Sequence, residues 1–130
     1  MPVESGVWIP ILQGGTTPGS PVYTTTRLGS YFRLGNVVRI TCSLVISSNG
    51  GMSGDLRISG LPFSASTSVT ACSAAVTGIN LASGRIPTFE VVQNVLKMRS
   101  QGNAGSFVVT ADEVGDSLSI WNLTAIFTIA

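Results

Sequence analysis

Val38-Arg39-Ile40-Thr41-Cys42-Ser43-Leu44-Val45-Ile46-Ser47 is the stretch on which the fold turns. Val38, Ile40, Cys42, Leu44 and Ile46 point one way, while Arg39, Thr41, Ser43 and Ser47 point the other. A period of two is the pleat of a strand and not the 3.6-residue repeat of a helix. The segment therefore reads as a half-buried antiparallel strand with one apolar face. Leu34-Gly35-Asn36 opens it as a tight turn needing positive φ, and Ser48-Asn49-Gly50-Gly51 closes it.

Working outward, Val22-Tyr23-Thr24-Thr25-Thr26 and Ser30-Tyr31-Phe32-Arg33 read as strand pieces, and Gly29 between them suggests a bulge or kink. Leu56-Arg57-Ile58 is a short strand that ends at Gly60-Leu61-Pro62-Phe63, where proline removes a ladder donor. Thr67 to Val76 is a further β-branched run. Thr88 to Arg99 carries Val91, Val92, Val95, Leu96 and Met98, which also fit a helix face. Its valine content and the Gly-Asn-Ala-Gly turn at 102–105, feeding Phe107-Val108-Val109, favour a strand and hairpin. From Ser117 to Ala130, Trp121, Leu123, Ala125, Phe127 and Ile129 alternate with polar residues and predict a C-terminal strand. Eight or so strands spaced 8 to 14 residues apart predict an all-β, antiparallel sandwich or jelly-roll-like domain covering residues 1–130, with no linker or repeat.

Composition narrows the function. Of 130 residues 10% are charged, against about 25% in an ordinary soluble domain, while 17 Ser, 13 Thr and 15 Gly take their place. At 44% hydrophobic, the chain still has no run near the roughly 18 apolar residues of a spanning helix, so membrane insertion is not expected. A net charge of +1, with arginines scattered singly, argues against nucleic-acid binding. Met1-Pro2-Val3-Glu4-Ser5 has no secretory signature, so a cytosolically made, complete product is expected. So bland a surface predicts cover by copies of itself or by a larger assembly.

No catalytic, metal or cofactor residues emerge. Histidine is absent, which removes Ser-His and Cys-His pairs and His-based zinc sites. Cys42 and Cys72 are expected as two reduced, buried thiols rather than a disulfide. Asp112, Glu113 and Asp116 lack the ligand spacing of a calcium loop and read as a solvated loop. Asp55 reads as a turn acid, and Gly14-Gly15 and Gly50-Gly51 precede no helix that would cradle phosphate. Trp8, Trp121, Tyr23 and Tyr31 are candidates to stack on sugar, but each reads more simply as a core or interface aromatic.

Four ordered blocks resemble a module of phage virion surface proteins. Gly6-Val7-Trp8-Ile9-Pro10, Pro21-Val22-Tyr23-Thr24, Gly29-Ser30-Tyr31-Phe32-Arg33-Leu34-Gly35-Asn36-Val37-Val38 and Gly54-Asp55-Leu56-Arg57-Ile58-Ser59-Gly60-Leu61-Pro62-Phe63 cover about half the chain. The resemblance implies a β-sandwich knob that assembles as a trimer, found at tail-fibre tips and in capsid decoration proteins, and it implies no active site. Trp8 would open the module. Gly29, Tyr31, Arg33, Gly35 and Asn36 would form the bulged strand and turn, and Leu61, Pro62 and Phe63 the corner where the chain changes sheets. With the module starting next to Met1, a fibre tip borne on a long shaft is the weaker match.

Two functions follow. The first is a trimeric capsid decoration or cement subunit on the virion surface, partnered by itself and by the major capsid protein. The alternative is a tail-fibre or receptor-binding knob whose loops 49–54 and 101–106 contact host-surface glycan or protein. Ile120 and Ile126 fall opposite the Trp121, Leu123 and Phe127 stripe, so both are expected at the trimer interface.

Overall fold

In the computed structural model residues 3–66, 72–79, 86–102, 105–108 and 114–129 are described. Among the described residues ten strands follow one another: β1 (Val3–Trp8), β2 (Ile11–Gly14), β3 (Val22–Leu34), β4 (Val37–Ser48), β5 (Leu56–Ser59), β6 (Cys72–Ile79), β7 (Ile86–Val92), β8 (Val95–Gly102), β9 (Gly105–Val108) and β10 (Val114–Thr128). They form two antiparallel sheets of a β-sandwich. The first sheet has the order β1-β3-β4-β10-β6, and the second β2-β5-β8-β7 with β9 also on β8. One edge of β8 pairs with β7 along its length, while the other pairs first with β5 and then with β9.

The β4 stripe lies where its alternation places it. Val38, Ile40, Cys42, Leu44 and Ile46 are all buried. The second sheet contributes a register row of Leu12, Ile58, Leu96 and Val91, beside the Phe89 and Met98 pair, to the same core. Each fully buried aliphatic side chain contributes about 1.5 to 3 kcal/mol, so this shared layer is what holds the sheets together. Cys42 is a free thiol within it, and burial pushes its pKa up to about 12. It stays protonated and packs as a small apolar residue. The Cys72 side chain lies outside the described residues.

The last strand breaks the simple alternation. Its register slips between Ile120 and Leu123 against β4, and between Trp121 and Thr124 against β6. Asn122 sits there with φ 54°, and its amide donates to the buried Ser43 Oγ at 2.9 Å. An extra residue in a strand reverses the faces beyond it. Leu118 and Ile120 therefore point inward before the bulge, and Leu123, Ala125 and Phe127 after it. Two expectations are corrected. Ile120 is 0% exposed and belongs to the core, not to a surface between chains, and Trp121 faces outward with 43% of its area exposed. Ile126 does face outward.

Other boundaries also move. The two pieces before β4 are one strand, and its register shift lies between Tyr23 and Arg27 rather than at Gly29, which pairs regularly with Trp8 and Cys42. The 88–99 segment is two strands folded at Gln93-Asn94, where Gln93 has φ 55° and Val92 pairs with Val95. The Gly102 to Gly105 hairpin joins β8 and β9 as its turn glycines predict. Of the Thr67 to Val76 run, 67–71 lie outside the described residues, and β6 starts at Cys72. β1 and β2, short and punctuated by glycine, carry no alternation strong enough to announce them.

Candidate assembly face

The motif residues occupy the β1–β3 side of the first sheet and its approach to β6. Trp8 is buried against Gly29, and its Nε1 donates to the Ser30 carbonyl at 3.1 Å. Tyr31 stands edge-on to Phe63 with ring centroids 5.2 Å apart at 82°, and its hydroxyl donates to Glu4 Oε2 at 2.7 Å. That hydrogen bond to the carboxylate raises the Tyr31 pKa above the ordinary phenol value. Arg33 lies over the Phe63 ring at 5.2 Å, and its Nε donates to the Gly35 carbonyl at 2.8 Å. Gly35 alone has positive φ in the β3–β4 turn, the pattern of a type II′ hairpin. The Asn36 carbonyl accepts from the Ile129 amide at 2.8 Å. Leu61 is buried and Pro62 exposed on the segment that carries the chain from the second sheet to the first.

With Tyr31 and Arg33 turned inward, β3 presents its apolar residues to the outside. Four register rows cross the outer face of the first sheet. They are Val3–Leu34–Val37–Thr128, then Ser5–Phe32–Arg39–Ile126, then Val7–Ser30–Thr41–Thr124, then Leu28–Ser43 facing the Trp121 bulge. Val3, Val7, Leu28, Phe32, Leu34, Val37 and Ile126 are all exposed, Val7 to 83%. Exposed apolar residues gathered on one face in this way mark an interaction surface on a soluble domain. Phe32, Leu34, Val37, Arg39 and Ile126 enclose a groove of about 270 Å³. Beside it Ser5, Ser30 and Thr41 make a hydroxyl-lined hollow, where Ser30 and Thr41 hydroxyls are 2.6 Å apart.

The opposite face of the sandwich is chemically different. A row of Gln13, Arg57, Lys97 and Glu90 crosses the second sheet. Arg57 and Asp55 form an ion pair at 2.6 Å, and this hydrogen bond holds Asp55 below the usual carboxylate range. Arg57 Nε is buried there without a partner. The outer surface of the second sheet is thus polar and charged, while Arg39 is the single charge in the four rows of the first.

The remaining candidates separate cleanly. Trp8 is 6% exposed and offers no stacking platform. Tyr23 takes the Leu12 amide on its hydroxyl at 2.8 Å and lies under Arg27 at 3.9 Å. Loop 49–54 is anchored, since Met52 is buried and Ser53 bridges Thr17. The tip of loop 101–106, together with Asp112 and Glu113, lies outside the described residues, as does the Asp116 side chain. Among the described residues no three metal-capable side chains gather.

No family model matches this chain and no curated protein matches it. Among solved structures it is similar to the crystal structure of Dettilon tailspike protein (gp208), with a TM-score of 0.80 and 20% identity. The match covers 97% of this chain and 24% of that one. At this identity the likeness establishes a shared sandwich architecture. This chain spans about a quarter of the tailspike's length.

Proposed function

We propose that the chain is a non-enzymatic structural module of a bacteriophage particle that works as a homotrimer packed through the outer face of its first sheet. The observation that carries this reading is the apolar, nearly uncharged outer face on a sandwich that resembles part of a tailspike. Fully burying one side chain of this size contributes about 1.5 to 3 kcal/mol, and the face carries seven that are exposed. Association costs about 4 to 15 kcal/mol, which burial of this face among three copies can offset.

Within the particle, the charge-poor composition favours a decoration or cement subunit tied to the major capsid protein. The tailspike likeness favours the second reading, a tail module that meets a host-surface glycan or protein. Gold-labelled antibody on purified virions separates the two. Label over the shell supports the cement subunit and label at the tail supports the receptor-binding module, while virions that bind no label contradict both.

A further inference from the structure

Trp121 and Asn122 are adjacent in sequence, yet both are exposed, while Ile120 before them and Leu123 after them are buried. Strand β10 lies between β4 and β6, so an exposed side chain here stands on the outer face of the sheet. A regular strand sends neighbours to opposite faces, and the bulge is what sets this indole and this carboxamide side by side. It is held from two directions. The Asn122 amide donates to the buried Ser43 Oγ at 2.9 Å, and the Asn122 carbonyl accepts from Thr124 Oγ1 at 3.2 Å. A non-glycine residue at φ 54° persists only where its surroundings enforce it, and such residues gather at binding sites.

The surroundings of the pair select its ligand. On β6 the register partner of Trp121 is Ala75, whose methyl cannot cover an indole. Its other neighbours on the outer face are Ser43, Ser119 and Thr124, all small hydroxyl residues. Val3, Leu34, Val37, Phe32 and Ile126 lie in the two rows farthest from the bulge, and Leu28 is a full strand away across Ser43. An aromatic anchor of an apolar contact stands among such aliphatics. Trp121 stands among hydroxyls.

The electron-rich face of an indole attracts the C–H face of a pyranose ring, and a carboxamide offers two donors and an acceptor to a pair of sugar hydroxyls. None of the register neighbours is charged, so a charged group on the ligand finds no counter-ion there. We infer that the Trp121–Asn122 bulge is a subsite for a neutral saccharide, its ring stacked on Trp121 and its hydroxyls bound by the Asn122 amide. The subsite goes beyond the assembly reading and does not depend on it, since the apolar rows that favour association lie at the other end of the face.

The test titrates the full chain, Trp121→Ala and Asn122→Gly with neutral oligosaccharides of glucose, galactose and mannose, reading calorimetric heat, tryptophan emission and acrylamide quenching. Trp8 is 6% exposed, so Trp121 supplies the emission that a quencher reaches. Wild type is expected to bind one or more of these sugars saturably, with emission moving to the blue and quenching reduced. Trp121→Ala should lose roughly tenfold or more in affinity, and Asn122→Gly, whose glycine accepts the positive φ, should bind more weakly with the fold retained. Absence of binding by every neutral sugar, or a Trp121→Ala variant that binds like wild type, overturns the subsite and leaves the trimer's mass untouched. Should Trp121→Ala fail to fold by circular dichroism, Asn122→Gly decides, and its unchanged affinity overturns the subsite. Trp121 already shielded from quencher in a sugar-free trimer assigns it to the contact between copies and also overturns the subsite. Saturable binding by a chain that scatters as a monomer upholds the subsite and removes the trimeric reading.

Discussion

Ile120→Asp is expected to abolish cooperative folding. Ile120 is fully buried on β10, opposite Leu44 on one side and Val76 on the other. Among the described residues no cation is buried in the core. The carboxylate must either ionise in an apolar interior or take up a proton, and both routes cost several kcal/mol. A loss above about 4 kcal/mol consumes most of the 5 to 15 kcal/mol that stabilises a typical domain. Far-UV circular dichroism under urea should show no native transition. Ile126→Asp, six residues on and outward-facing, should keep one. A native-like melt for Ile120→Asp would return that residue to the surface and contradict the bulge at Asn122.

Gly29→Val is expected to destabilise by about 2 to 3 kcal/mol through overpacking. A Cβ at Gly29 would sit 2.8 Å from both Trp8 Cε2 and the Trp8 carbonyl oxygen, and 2.9 Å from Nε1. The indole is pinned by its hydrogen bond to Ser30, so it has to leave the core or drag β1 away from β3. Tryptophan fluorescence should shift to the red and the melting temperature should fall by about 10 °C or more. Unchanged emission with an unchanged melt would show that the Trp8–Gly29 contact is not needed.

The centre of the fold was legible because β4 is uninterrupted: five buried residues at strict period two leave one possible face. The edges were not. A bulge at Trp121-Asn122 reverses faces without changing composition, and the sole hint is an asparagine, a residue that tolerates positive φ. That reversal misplaced Ile120 and Trp121 together. The assembly face was hidden for a related reason. On β3 the inward residues Tyr31 and Arg33 are polar-tipped, satisfied by Glu4, Phe63 and Gly35, while Phe32 and Leu34 face out. Only the register rows reveal that these two lie beside Val37 and Ile126, which come from other strands. The low charge of the chain pointed to a covered surface, and the rows locate it on one side of the sandwich.

The central claim is that this side is a contact between copies, and the molar mass of the unmodified chain at micromolar concentration tests it most directly. Light scattering should give three times the 13.4 kDa chain mass. For Ile126→Asp, with the fold retained, it should give a single chain mass. A wild-type chain that scatters as a 13.4 kDa monomer, or an Ile126→Asp variant that remains trimeric, would contradict the account.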